Sequence, residues 1–374
     1  INGSFVPRFD KNVSINQIKH MNNDISHRGP DSDGIFFDDG FCLGHRRLSI
    51  LDVSNNASQP MTSENGRFVI AFNGEIYNFQ EISKILSHKF NIKFKTSSDT
   101  EVLVNLIQCI GIQKALEMLE GMYAFCLYDI KDKQVYLARD RFGEKPIYFF
   151  CKNDFFYFSS EMKPLITPLK NQLTINLDSL DHFLKKSYIN TDSSIFNEIT
   201  KVKPATFIHI DLNTKQNLQP KETVYWDYED LCIKENNQSS HFSKAQYNIS
   251  KEHLDNLLNK TIHKTMISDV PLGAFLSGGY DSSCVVAFMQ KNSMKKIKTF
   301  SIGFDDAAYN EAEDAKKISS YLGTDHQELY LSEKDLLDTI MNLPNIYSEP
   351  FADSSQIPTI LLSKLTRSKV TVSL

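Results

Sequence analysis

Two hydrophobic patterns divide the chain. Over roughly the first 210 residues, apolar positions fall in short unbroken runs: Phe68-Val-Ile-Ala-Phe72, Met122-Tyr-Ala-Phe-Cys-Leu-Tyr128, Gln134-Val-Tyr-Leu-Ala138, Pro146-Ile-Tyr-Phe-Phe150 and Phe155-Phe-Tyr-Phe-Ser159. Turn signals such as Glu64-Asn65-Gly66 and Asn153-Asp154 separate them, so the runs read as strands. Helical spacing appears at Ile15, Ile18 and Met21, and again at Val102, Leu103, Leu106 and Ile110. Strand following closely on strand predicts antiparallel sheet with helices outside it. After a polar stretch the pattern changes. Leu254, Leu257, Leu258, Ile262 and Met266 mark an amphipathic helix. A strand at Gly273-Ala-Phe-Leu276, a helix from Ser282 to about Met289, a strand at Thr299-Phe-Ser-Ile302 and a helix from Glu311 to Leu322 follow. Strand alternating with helix predicts a parallel α/β sheet.

The expected organisation is therefore an α+β domain over 1–212, a linker over 213–248 rich in Asn, Ser and Gln, and an α/β domain over 249–374. Tyr225-Trp226 is expected to pack on a domain surface. A length of 374 residues suits two domains. The ends look cut: the chain begins with Ile1, and Lys369-Val-Thr-Val-Ser-Leu374 reads as a buried strand with no turn after it. A formal charge of −5 argues against nucleic acid and anionic membranes as partners, but leaves room for a local phosphate site. No apolar run approaches the roughly 18 residues of a membrane span. The six cysteines form no CxxC pair and are expected to be core residues in a reducing cytoplasm.

The most specific local motif is Leu276-Ser-Gly-Gly-Tyr-Asp-Ser-Ser283, placed between a strand and a helix. Gly278 and Gly279 allow a tight turn whose N–H groups face an anion, and the helix N-terminus adds positive character. Ser277, Ser282 and Ser283 add hydroxyl donors, and Asp281 suits Mg²⁺ or a helix cap. The plain alternative is a well-capped strand-to-helix turn. The motif resembles the pyrophosphate loop of N-type ATP pyrophosphatases, and Ser268-Asp-Val-Pro-Leu-Gly273 narrows the resemblance to the asparagine synthetase family. Tyr280 stands where that family usually has Leu. The resemblance implies ATP and Mg²⁺ as cofactors, adenosine contacts from Leu276 and Ile302, pyrophosphate contacts from Ser277, Gly278, Gly279, Ser282 and Ser283, and Asp281 near the metal.

The N-terminal part carries an ordered set of weaker segments. They include His27-Arg-Gly-Pro-Asp31, Gly44-His-Arg-Arg-Leu-Ser-Ile-Leu-Asp52, Phe72-Asn-Gly-Glu-Ile-Tyr-Asn78, Ser98-Asp-Thr-Glu101, Arg139-Asp-Arg-Phe-Gly143 and Ser159-Ser-Glu-Met-Lys163. Singly they are ordinary: Asn73-Gly74 is a common hairpin turn, Arg47 a surface cation, Asp99 a helix cap. Together they resemble class II glutamine amidotransferases, the N-terminal-nucleophile (Ntn) domains fused to asparagine synthetases. The resemblance implies a glutamine site. Arg47 would hold the substrate carboxylate, Asp99 and Glu75 its ammonium, and the Asn73 side chain with the Gly74 N–H would form an oxyanion hole. The family's nucleophile is an N-terminal Cys; it is absent from this chain and would precede Ile1, so truncation is expected.

The implied reaction amidates aspartate to asparagine with ammonia from glutamine, through an aspartyl-adenylate, in the cytoplasm, and a homodimer is compatible with it. Rival readings are a paralogue acting on another carboxylate such as a sugar acid, an ammonia-dependent enzyme with a dead donor domain, and a degenerate ATP-binding relative. Ser348-Glu-Pro-Phe-Ala-Asp-Ser-Ser355 matches a family segment near the acceptor, though Glu349 and Asp353 also read as helix caps.

Overall fold

In the computed structural model the described residues are 1–374 except 8–9, 215–216, 230–231, 233–243 and 305–309. The chain forms two units: Ile1–Leu231 with Tyr347–Phe351, and Cys232–Ile346 with Ala352–Leu374.

The first unit contains twelve described strands: β1 Asn2–Phe5, β2 Ser32–Asp38, β3 Phe41–Arg47, β4 Met61–Thr62, β5 Phe68–Ile76, β6 Gly121–Asp129, β7 Gln134–Arg139, β8 Tyr148–Lys152, β9 Phe155–Ser159, β10 Thr200–Lys201, β11 Thr206–Asp211 and β12 Lys221–Val224. They make two six-stranded sheets, in the orders β10-β8-β9-β1-β3-β2 and β12-β11-β7-β6-β5-β4. Every strand pair is antiparallel, as the pattern predicts. Side chains along a strand alternate between faces. Phe156 and Phe158 of β9, Phe149 of β8, and Phe41 and Leu43 of β3 therefore enter one core, where they join Val69, Ala71, Cys126, Val135 and Leu137 of the other sheet. Tyr157, Tyr148, Phe150 and Cys42 point the opposite way, into a second core with Ile18 and Met21 of the helix Lys11–Asp24 and Leu165 of the helix Lys163–Leu169. A sheet buried on both faces needs apolar residues at consecutive positions. This is why Phe156-Tyr-Phe158 shows no polar alternation, whereas Phe155 at the start of the strand is exposed.

Of the expected linker, residues 221–224 form β12, paired with β11, and Glu235-Asn-Asn-Gln-Ser-Ser240 lies outside the described residues. Tyr225 is buried, and its hydroxyl donates to the Arg139 carbonyl (2.8 Å).

The second unit holds a four-stranded parallel sheet, in the order β15-β14-β13-β16: β13 Leu272–Phe275, β14 Lys298–Phe304, β15 Asp325–Leu331 and β16 Val372–Ser373. Ala274, Leu276, Val286, Met289 and Ile297 form its core, together with Ile262 of the helix Lys244–Thr265. Leu254 and Leu257, expected on the apolar face of that helix, are exposed. Among the cysteines, Cys42 and Cys126 are buried as expected; Cys284 is exposed on the helix Tyr280–Lys291, whose buried residues are Val286, Phe288 and Met289.

Glu349 caps no helix. It belongs to the first unit, where its carboxylate pairs with the Lys201 ammonium (2.6 Å) and accepts from the Tyr148 hydroxyl (3.1 Å) and the Ile195 N–H (2.9 Å). Asp353 instead accepts from the Ser355 N–H, in the turn before the helix Gln356–Arg367. The Glu349 and Lys201 side chains are only 9% and 11% exposed. Removing one partner of a buried pair strands the other, at a cost of about 3–5 kcal/mol. Glu349→Ala is expected to lower stability to urea by about that much. Lys203→Ala, which breaks an exposed pair with Glu222, should cost under about 1 kcal/mol. Equal effects in the two variants would refute the assignment.

Candidate functional site

In the first unit, Arg47, Asn73, Gly74, Glu75 and Asp99 line one cavity of about 440 Å³. They reach it from separate elements: Arg47 ends β3, Asn73 to Glu75 lie in β5, and Asp99 opens the helix Asp99–Ile110. Asn73 and Gly74 do not form a hairpin turn. They continue β5 opposite Ala124 and Tyr123 of β6. Gly74 is required there, since a Cβ would collide with the Met122 carbonyl and with Tyr123 Cα. Asp99 is not the helix cap either. Ser98 caps the helix by accepting from the Thr100 N–H (3.1 Å), which frees the Asp99 carboxylate to accept from the Ile76 N–H (3.0 Å).

The charges of the cavity are set by burial. Arg47 is 7% exposed, and its guanidinium donates to the carbonyls of Ser54 (2.9 Å), Leu51 (3.4 Å) and Asp52. These three bonds fix the fork and leave part of its five-donor capacity for a ligand. Burial pushes Asp99 up to about 6. Burial and the neighbouring Asp99 push Glu75 up to about 7. Two carboxylates short of counter-charge at one wall make a receptor for a cation. His45 is also buried; its Nε2–H donates to the Phe72 carbonyl (3.1 Å), and burial holds it neutral, down to about 3. The Asn73 side-chain nitrogen is buried without a hydrogen-bond partner among the described residues. Leaving such a donor unpaired costs about 1–3 kcal/mol, which an oxygen of a bound ligand would recover.

Residues not singled out from sequence also line this cavity, among them Arg28, His45, Thr100 and Lys145. His45 and Arg28 sit inside the quoted segments, and their neighbours were the only signal for them. Lys145 carried none.

In the second unit, Leu276, Ser277 and Ile302 line a largely apolar cavity of about 790 Å³, with Phe304, Leu336, Ile340 and Pro358. Gly278 and Gly279 form the strand-to-helix turn beside it, and Asp281, Ser282 and Ser283 lie in the first turn of the helix Tyr280–Lys291. Gly278 adopts φ +85°, which favours glycine. The Ser282 hydroxyl bonds the Ser277 hydroxyl (3.0 Å), and the Ser283 hydroxyl donates to the Gly279 carbonyl (2.6 Å), so part of the expected hydroxyl capacity braces the turn. The helix cap is Gly279, not Asp281. Asp281 is exposed, in the first turn of the helix. No group of three or more His, Cys, Asp or Glu side chains that could hold a metal occurs among the described residues. Among them, too, no helix is long and apolar enough to cross a membrane.

Residues 1–226 match the glutamine amidotransferase domain model, and residues 253–374 match the asparagine synthase model. The chain is 35% identical to a putative glutamine-hydrolysing asparagine synthetase 2 of Methanocaldococcus jannaschii, over 100% of this chain and 73% of that protein. It is 34% identical to glutamine-hydrolysing asparagine synthetase 1 of Bacillus subtilis, over 96% of this chain and 54% of that protein. It thus spans between about half and three-quarters of the length of these two relatives. Among solved structures, an allosteric regulatory enzyme of purine biosynthesis aligns over 91% of both chains at 14% identity, with a TM-score of 0.47. With both domain models matched in order and a 35% identical relative aligned along the whole of this chain, the chain belongs to the glutamine-hydrolysing asparagine synthetase family.

Proposed function

We propose that this chain carries the glutamine-hydrolysing and ATP-binding parts of an enzyme that amidates aspartate to asparagine through an aspartyl-adenylate. The observation that carries the donor half is the unpaired Asn73 amide, buried in a cavity that also holds a forked cation and two poorly compensated carboxylates. Glutamine has a matching set of groups. Its carboxylate would meet Arg47, its ammonium Glu75 and Asp99, and the oxyanion formed on its carboxamide the Asn73 amide and Gly74 N–H. The nucleophile would be a Cys preceding Ile1. In support, Ile1 adjoins β1, and β1 pairs with β3, the strand that carries His45 and Arg47 of the cavity wall.

For the acceptor half, the apolar cavity bounded by Leu276 and Ile302 suits an adenine ring, and the Ser277-to-Ser283 turn suits the phosphates. Mg²⁺ commonly binds through one or two carboxylates plus substrate phosphates. Asp281, exposed beside the turn, fits that minimal role and would supply one ligand. When bound, the metal would neutralise phosphate charge; the chain's own part is to position ATP and the acceptor carboxylate. Ammonia displacing AMP from the adenylate would complete the reaction. A homodimer in the cytoplasm is the proposed setting.

In the full-length protein, Arg47→Ala is expected to reduce glutamine-dependent synthesis at least about 100-fold while sparing ammonia-dependent synthesis, because a charge-assisted fork contributes about 3 kcal/mol. Asp281→Ala should stop pyrophosphate release and leave glutamate formation intact. Assaying both half-reactions in each variant tests the division; loss of both activities in each folded variant would sink it. Offering aspartate beside sugar acids tests the acceptor, and pyrophosphate release with a sugar acid alone would replace aspartate in this reading.

The carboxylates give a pH test. Only their ionised forms hold an ammonium, and both are raised, to about 6 and about 7. The kcat/KM for glutamine is therefore expected to fall as pH drops through that window, in steps belonging to the pair. A flat profile down to pH ~5 would exclude Glu75 and Asp99 as the ammonium receptor.

A further inference from the structure

Lys145 is held toward the donor cavity by a loop built for rigidity. Its backbone N–H donates to Asp140 (3.0 Å), and its carbonyl accepts from Arg139 Nε (2.9 Å). Asp140 has no exposed surface, and it also accepts from the N–H groups of Tyr123, Phe142 and Glu144. The side chain that emerges lines the cavity beside Glu75. Among the described residues no carboxylate oxygen lies within 4 Å of its ammonium, and it has no side-chain hydrogen bond. A long cation so placed, half-buried and undirected by a salt bridge, acts at a distance.

The charges lining the cavity sort into couples. Arg28 pairs with Glu161 (3.0 Å), and Arg46 faces Asp33 (3.8 Å). Arg47 feels Asp99. Glu75 is left with one cation, Lys145, and one repelling neighbour, Asp99. Lys145 in turn faces Arg28, Glu75, Glu144 and Asp140. The Tyr77 phenol, pushed up by burial, Glu75 and Glu144, stays neutral, as does His45. With Lys145 charged, Glu75 faces one cation as well as the repelling Asp99. Without it, Glu75 faces Asp99 in a buried site with no cation acting on it, and the least costly relief is to protonate a carboxyl.

We propose that Lys145 is a positioning residue of the amide-donor site: its ammonium is the counter-charge that favours the ionised form of Glu75, the form able to receive the α-ammonium of an amino-acid substrate. The identity of that substrate as glutamine rests on the function proposed above; the action of Lys145 on Glu75 does not.

The experiment uses full-length protein with ¹³C-labelled glutamate, the Glu75 carboxylate resonance being assigned by its loss in Glu75→Gln. In Lys145→Met, which keeps length and bulk, the Glu75 titration is expected to move upward by about one unit, the scale of a nearby charge. Lys145→Arg should restore it. In the same proteins, KM for glutamine should rise about tenfold at pH 6–7 in Lys145→Met and return toward wild type by pH ~9, where Glu75 ionises even without help. An unmoved Glu75 titration overturns the proposal. So does a loss in Lys145→Met that is equal at every pH, or one that Lys145→Arg fails to restore, since those mark a packing role. Wild-type protein that titrates as expected but releases no glutamate would instead refute the glutamine reading and leave the Lys145–Glu75 coupling standing.

Discussion

The donor site depends on one carboxylate that never meets water. Asp140 gathers four backbone N–H groups from β6 and from the loop 140–145. A buried carboxylate is tolerated only when its lone pairs are filled, and these are. The reward is a fixed turn at the end of β7. Gly143 at φ +70° packs against the Arg139 guanidinium there, and Arg139 itself donates to the Lys145, Val202 and Gly143 carbonyls. The cavity wall is therefore held by hydrogen bonds that converge on a carboxylate and a guanidinium largely shielded from solvent.

The same economy governs the opposite wall. Arg47 spends part of its fork on three carbonyls of the loop after β3, and Asp99 spends one oxygen on Ile76. Each group is immobilised by bonds that leave other valences open. A ligand then meets groups that are already oriented, and little ordering entropy remains to be lost on binding.

Much of this was readable in the sequence, for a physical reason. Strands buried on both faces write continuous apolar runs, and Phe155-Phe-Tyr-Phe-Ser159 coincides with β9. The parallel unit announced itself by alternation, although the helix Tyr280–Lys291 begins two residues before the expected Ser282 because Gly279, not Asp281, caps it. Asn73-Gly74 could not be placed from local propensity, since the same dipeptide suits a hairpin turn; only the close approach of β6 makes glycine necessary in mid-strand. Leu254 and Leu257 carried a helical period but not the identity of what covers it. Lys145 and Glu349 were illegible for a shared reason. Their roles arise from pairing across many residues of chain, and a single Lys or Glu in a turn has no periodic signature.

The clamp on Glu349 bears on how the chain can be divided. Residues Tyr347–Phe351 belong to the first unit although the chain on both sides of them belongs to the second. The units are thus interleaved in sequence, and no single cut separates them. A fragment ending near residue 231 would keep the Lys201 amine, the Tyr148 hydroxyl and the Ile195 N–H but surrender the carboxylate that joins them. An excised amidotransferase half would carry an unfilled receptor for an acidic peptide. Supplying residues 347–351 in trans, or grafting them onto the fragment through a short linker, is the natural route to an autonomous piece.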